Sequence, residues 1–128
     1  MKKVIVTFTL GTICVLIIPY LISYALNYPP LPIESMTKRE VLEKVNDADK
    51  QLVKLTSEKN SEWYITSERD ISAVDDMIKE LVGQEGWVYK EKEGSGLIFE
   101  KEDEKLVAMT EKWTGDYVIC QIPANFRD

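Results

Sequence analysis

The sequence predicts an α+β protein: an N-terminal transmembrane helix followed by a two-layer domain in which two helices cover a mostly antiparallel sheet. Three observations support this. Residues 4–24 contain no charged side chain, two later segments have apolar residues at helical spacing, and residues 87–122 alternate apolar and polar side chains between short turns. We divide the chain into a membrane segment at 1–26, a proline-rich spacer at 27–35 and a folded domain at 36–128.

The N-terminal segment has the length and polarity of a membrane-spanning helix. At about 1.5 Å per residue, residues 4–24 extend about 31 Å, which matches the hydrocarbon core of a bilayer. Lys2 and Lys3 precede this segment, and positive charge favours the cytoplasmic side, so we expect the domain outside the cell membrane. The alternative is a secreted protein, because Ser23 and Ala25 form a site where a signal peptide would be cleaved after Ala25.

A proline-rich segment follows the predicted span. Residues 28–32 are Tyr-Pro-Pro-Leu-Pro, with three prolines in four positions. Proline cannot continue a helix and favours the extended polyproline II conformation. We therefore expect a short, stiff spacer that holds the domain away from the membrane surface.

The charges and residue types exclude several classes of function. All 22 acidic residues and 14 of the 16 basic residues lie beyond residue 33, which gives that part a net charge of −8. Such a surface repels phosphate groups, so we expect no nucleic-acid partner. The chain has no histidine, which excludes histidine-dependent catalysis and histidine-ligated metals. Cys120 has no second cysteine within the predicted domain, and we interpret it as a small buried residue.

The domain is predicted to begin with a helix over residues 37–48. Thr37 and Glu40 have the spacing of a capping box, in which each side chain binds a backbone amide of the other residue. Val41 and Val45 then fall on one face of the helix.

A β-hairpin is predicted next, with strands near residues 50–56 and 62–66. Aromatic and β-branched side chains fill the second of these segments and favour a strand. The spacing of the apolar residues also fits a first helix that continues to about residue 56. Residues 50–57 are therefore left open between a strand and a helix.

A second helix is predicted over residues 71–82. Asp70 or Ser67 can cap its start, and Gly83 and Gly86 favour its end. Its apolar side chains recur at helical spacing and form one stripe: Ile71, Val74, Ile78, Leu81 and Val82.

The remaining chain predicts an antiparallel meander, with strands at residues 87–92, 97–101, 105–113 and 117–122. One face of such a sheet packs on a core while the other is solvated. We expect both helices to cover the packed face. The residues expected to pack are grouped by strand: Leu97 with Phe99; Val107 and Met109 with Trp113; Val118 and Cys120 with Ile122.

Parts of this pattern resemble uncharacterised small exported or membrane-anchored proteins of low-GC Gram-positive bacteria. The matching residues are Gly86-Trp87, residues 93–101, Lys105-Leu106 and residues 113–117. The resemblance spans roughly residues 50–123 and leaves out the proline segment and the acidic turn at 102–104. It implies strands in this region and a location in the cell envelope, but no activity and no catalytic residue.

The sequence contains only weak matches to motifs that would indicate catalysis or ligand binding. Residues 93–96, Glu-Gly-Ser-Gly, lack the Lys-Ser/Thr ending and the following helix of a phosphate loop, so we interpret them as a hairpin turn. Asp47 and Asp49 lack the glycine and distal glutamate of a calcium loop. The carboxylates at 75–76 and 102–104 are expected to be solvated. We expect no enzyme, no metal ion and no cofactor.

The sequence therefore favours a membrane-anchored extracytoplasmic binding or regulatory module of the bacterial cell envelope. An accessory subunit of a larger membrane complex is the alternative, and a carboxylate-dependent envelope enzyme is a third. The expected contacts are the membrane, through residues 4–24, and a protein partner that the sequence does not identify. Aromatic residues near turns can anchor a protein partner. The candidate contact residues are Trp87, Trp113, Asp116 and Tyr117.

Overall fold

The protein was analysed as a computed structural model that describes residues 29–128, which form six strands, two α-helices and a final 3₁₀ turn. The elements in chain order are α1 (Lys38–Asn46), β1 (Val53–Glu58), β2 (Ser61–Thr66), α2 (Ile71–Gly83), β3 (Val88–Glu93), β4 (Gly96–Lys101), β5 (Glu104–Thr114), β6 (Tyr117–Pro123) and the 3₁₀ helix (Ala124–Arg127). The predicted span at residues 4–24 and the cleavage site after Ala25 lie outside the described residues. Between residues 29 and 128, no helix is both long enough and apolar enough to cross a bilayer.

All six strands form one antiparallel sheet in the order β1-β2-β6-β5-β4-β3. Strands β3 to β6 are the predicted meander. β6 lies between β5 and β2 and so joins the meander to the β1–β2 hairpin. The α+β class, the two helices and the antiparallel sheet are confirmed.

Helix α1 stops before the first strand, which resolves the alternative left open for residues 50–57. The capping box is present at its start, where the hydroxyl of Thr37 accepts from the amide of Glu40 at 3.2 Å. Beyond its end, Asp49 (φ 42°) and Lys50 (φ 62°) adopt left-handed backbone conformations that a right-handed helix cannot contain. Strand β1 then begins at Val53.

The two helices pack on opposite faces of the sheet, so the expected two-layer arrangement is wrong. Successive residues of a strand point to opposite faces. Along β6, Cys120 packs in one cluster with Ile78 of α2, whereas Ile119 packs in the other with Val45 of α1. The physical reason is that every residue of β2 is buried. Both faces of the sheet at β2 must therefore be covered by other elements.

Residues 29–36, here called the proline strap, lie on the α1 side of the sheet. Ile33 is buried in the α1 cluster, and Leu31 and Met36 pack against it. The strap differs from the expected free spacer because Leu31 and Ile33, on either side of Pro32, and Met36 pack their apolar side chains onto the core. The described part of the spacer is therefore part of the domain.

Candidate functional site

Helix α1 and the proline strap cover only half of their side of the sheet. The other half, formed by β3, β4 and the part of β5 before Trp113, has no helix or loop over it within residues 29–128. Val88, Val107 and Met109 lie there with 56%, 41% and 43% of their surfaces exposed, and they are the large exposed hydrophobic residues of the described chain. We call this half the uncovered face. Its members are Val88, Lys90, Glu91, Glu93, Gly96, Ile98, Glu100, Lys105, Val107, Met109 and Glu111.

The strand register places these residues side by side. Ile98 of β4 is opposite Val107 of β5 and, on its other side, opposite Glu91 of β3. Met109 is opposite Gly96 in the next row. The result is a short apolar strip of Ile98, Val107 and Met109 on β4 and β5. Val88 of β3 lies one row further along, opposite Glu100.

Gly96 shapes this strip. A β-carbon at Gly96 would lie 3.0 Å from Cγ1 of Val107 and 3.2 Å from Sδ of Met109, so both side chains lean into the space above the glycine. The unbranched thioether of methionine adapts readily to different contact surfaces. The centre of the uncovered face therefore has no side chain at Gly96, and the flexible side chain of Met109 beside it can adjust to a contacting surface.

Charged residues border the strip. Lys90 and Glu100 form an ion pair at 3.8 Å, and Lys105 lies opposite Glu100 on the next strand. Glu91, Glu93 and Glu111, in contrast, form no ion pair with any residue between 29 and 128. Carboxylates without a cationic partner among these residues therefore lie on both sides of the apolar strip: Glu91 and Glu93 on β3, and Glu111 beyond Met109 on β5.

The four contact residues predicted from the sequence do not share one surface. Trp87 is buried on the α2 side, where its Nε1 donates to the carbonyl of Phe126 at 2.8 Å. Trp113 is buried under the strap. Asp116 and Tyr117 do lie together at the β5–β6 turn, beside an open, polar hollow of about 520 Å³.

This hollow is lined by polar and charged side chains at the surface of the domain. The carboxylate of Asp116 pairs with Arg69, and the hydroxyl of Tyr117 donates to Oδ1 of Asn46 at 3.1 Å. Lys50, Asp49 and Glu68 add further charges of both signs to its wall. Charged groups of both signs at an open surface are typical of a solvated turn.

Comparison with protein-family models, curated proteins and solved structures finds no match to this chain. Its own surface must therefore indicate what it does.

The prediction that Val107 and Met109 lie on the packed side of the sheet is wrong, and the uncovered face was therefore not expected. In β5 the residues that pack against α2 are instead Leu106 and Ala108. The residues on each face of β5 recur with a period of two, so the period alone does not tell which face is buried. The available signal was charge: the exposed face of β5 also contains Lys105 and Glu111, whereas Leu106, Ala108 and Thr110 are uncharged.

Two buried carboxylates lie elsewhere in the domain. Asp75, expected to be solvated, is buried, and its Oδ2 accepts from Nζ of Lys92 at 2.6 Å. Burial raises the pKa of the nearby Cys120 thiol to about 12, with a further contribution from the charge of Asp75. Cys120 is therefore protonated at neutral pH and is not a nucleophile.

Glu62 is the second buried carboxylate. It accepts hydrogen bonds from Nε of Arg127 at 2.7 Å and from the hydroxyl of Tyr64 at 2.7 Å, and Lys54 lies 3.3 Å away. Burial acts to raise the pKa of Glu62, but the hydrogen bonds from these three partners outweigh it and lower the pKa. The cluster fastens the 3₁₀ helix to β2. Within residues 29–128, no group of three or more acidic or cysteine side chains is arranged to hold a metal ion.

Proposed function

We propose that this protein is a membrane-anchored extracytoplasmic binding module of the bacterial cell envelope, and that it binds a protein partner through the uncovered face. The observation that supports this most directly is the grouping of Val88, Val107 and Met109, the large exposed hydrophobic residues, on one side of three adjacent strands. Contiguous apolar surface with a charged border is typical of a protein-binding site.

A protein fits this surface better than the other classes of partner. The net charge of −8 beyond residue 33 repels nucleic acids and anionic lipid surfaces. The apolar strip is open and lies on a sheet, whereas small-molecule sites are usually concave and enclose the ligand. The carboxylates on this face are exposed, which leaves them without the environment that tunes a catalytic acid.

The contact surface can be tested with the full chain in the membranes of cells that produce it. The V107K/M109K double variant places two charges in the strip, and we expect the recovery of a co-purifying partner to fall about tenfold. The matched control is S72K/Q84K, which makes the same charge change of +2 at two exposed positions at the ends of α2, on the opposite side. Equal recovery with the wild type and V107K/M109K would show that the partner binds elsewhere.

The location is tested separately by adding a protease to intact protoplasts. The proposal requires the domain to be cleaved while the membrane-associated N-terminus is kept. Protection of the domain would overturn the proposed orientation, and release of the domain into the medium would favour cleavage after Ala25.

A further inference from the structure

We infer that the occupant of the uncovered face is an amphipathic α-helix of the partner, about three turns long, with a basic residue near each end of its apolar stripe. This inference rests on the proposed function and specifies the partner's chemistry. Three features support it: the width of the face, the unpaired carboxylates of Glu91, Glu93 and Glu111 beside the apolar strip, and the protected edge of the sheet.

The width of the uncovered face suits one helix. Three neighbouring strands place their outer members about 10 Å apart, which is close to the diameter of an α-helix with its side chains. Helix α1 already covers the other half of the same side, with Val41 and Val45 packed on β1 and β2. A second helix beside it would complete that layer, as expected for a sheet that has apolar residues on both faces.

The strap provides one wall for this helix. Pro29 and Pro30 are exposed, and together with Trp113 and Glu111 they border a cleft at the C-terminal end of β5. The helix would therefore lie between these prolines and the β3 edge, over Val107 and Met109.

The free carboxylates specify the charge of the helix. Glu91 is in register with Ile98 and Val107, Glu93 is in register with Gly96 and Met109, and Glu111 lies four residues further along β5 than Val107. Strand geometry places the outermost of these glutamates, Glu91 and Glu111, about 16 Å apart, which is the length of about eleven helical residues. A lysine or arginine near each end of the apolar stripe would pair with them.

Two other occupants fit less well. A second copy of this chain would bring another net charge of −8 against the first. A partner strand added to the β3 edge would meet four successive charged residues, at positions 90–93, and a β-bulge between Tyr89 and Glu91. Charges and bulges at an edge are devices that block strand addition.

The test is photo-crosslinking from the full chain in its native membranes. A photoreactive phenylalanine analogue replaces Met109, and a second chain carries it at Asp76 on the opposite side as control. We expect the Met109 probe to capture a partner peptide with apolar residues at i, i+3, i+4 and i+7, and with lysine or arginine about eleven residues apart.

The charge pairing is tested in the same assay. E91K/E111K should reduce the crosslink from Met109 about tenfold, whereas E102K/D103K, an equal charge change in the β4–β5 turn, should leave it within about twofold. Reversing the two basic residues of the captured segment to glutamate should restore crosslinking to E91K/E111K.

The outcomes separate the two proposals. A captured strand or loop, a captured second copy of this chain, or full capture by E91K/E111K overturns the helix inference and leaves the proposed function standing. Capture of a protein partner from Asp76 and none from Met109 overturns both, because the contact surface is then on the other side. Absence of any crosslink from both positions also overturns both.

Discussion

The indole Nε1 of Trp113 donates a hydrogen bond to the carbonyl of Pro29 at 2.8 Å, across 84 positions of sequence. This bond holds the beginning of the strap on β5. Further along the strap, Nζ of Lys59 donates to the carbonyl of Pro32, and the carboxylate of Glu58 accepts from the amide and hydroxyl of Ser35. The strap is thus attached at three points to the domain that it precedes.

W113F tests this attachment. Phenylalanine keeps much of the buried ring but cannot donate, so the carbonyl of Pro29 loses its partner. We expect the free energy of unfolding to fall by about 1–2 kcal/mol and hydrogen exchange to become faster at the amides of Glu34 and Ser35, which donate to the carboxylate of Glu58. Unchanged exchange in the strap would contradict the proposed role of Trp113, even if the melting temperature fell.

R127A tests the Glu62 cluster. Removing the guanidinium leaves the buried Glu62 carboxylate with Tyr64 and Lys54 only, and should cost about 1–2 kcal/mol, because Arg127 is itself partly exposed. R39A is the control, since Arg39 pairs with Glu43 on the exposed surface of α1 and should cost under about 0.5 kcal/mol. Urea unfolding of the two variants makes the comparison, and equal losses would contradict it.

The β3–β4 turn should depend on Gly94 and not on the hydroxyl of Ser95. Gly94 has a φ of 59°, so G94A should cost about 1 kcal/mol through backbone strain alone, because no atom lies within 4 Å of the added β-carbon. S95A should change stability by less than about 0.5 kcal/mol. A loss of partner binding in S95A with an unchanged melting curve would overturn the interpretation of residues 93–96 as a structural turn.

Lowering the pH should weaken the attachment of the strap to Glu58 of β1. The hydrogen bond from the hydroxyl of Ser35, aided by the amides of Glu34 and Ser35, lowers the pKa of Glu58 below its ordinary value of 4.5. A carboxylate with a lowered pKa stabilises the fold above its unfolded pKa, and this stabilisation is lost as the pH falls through the folded value. We therefore expect strap amides to exchange faster relative to α2 amides as the pH falls below about 4.5.

E58Q provides the control for that measurement. Glutamine cannot titrate, so the difference between strap and α2 protection should become independent of pH in this range. A pH dependence that persists in E58Q would assign the effect to another group, and Glu62 is the first to examine because its pKa is also lowered.

The local elements of this fold could be predicted from sequence because their causes are local. The capping box of Thr37 and Glu40 and the glycine turn at 94–95 depend on residues close in sequence. The apolar spacing from Ile71 to Val82 likewise predicts α2 within one residue of its end.

The layer arrangement and the uncovered face could not be predicted in the same way. They depend on β2 pairing with β6, which joins residues such as Tyr64 and Cys120 that are distant in sequence. The same distance explains why Trp87 and Trp113, which look equivalent as aromatic residues beside turns, are buried on opposite sides. The sequence pattern alone does not reveal which apolar set in β5 has an element above it.

The central position of β6 sets an order of events during synthesis. β6 is the last strand to leave the ribosome among the described elements, yet it is the only one that hydrogen-bonds to both the β1–β2 hairpin and the β3–β5 segment. Until Tyr117–Pro123 has emerged, the chain consists of two separate pieces, and an isolated two-stranded hairpin is only marginally stable in water. The two pieces can therefore join only after β6 has been made, and a chain that stops near Gly115 would leave them apart.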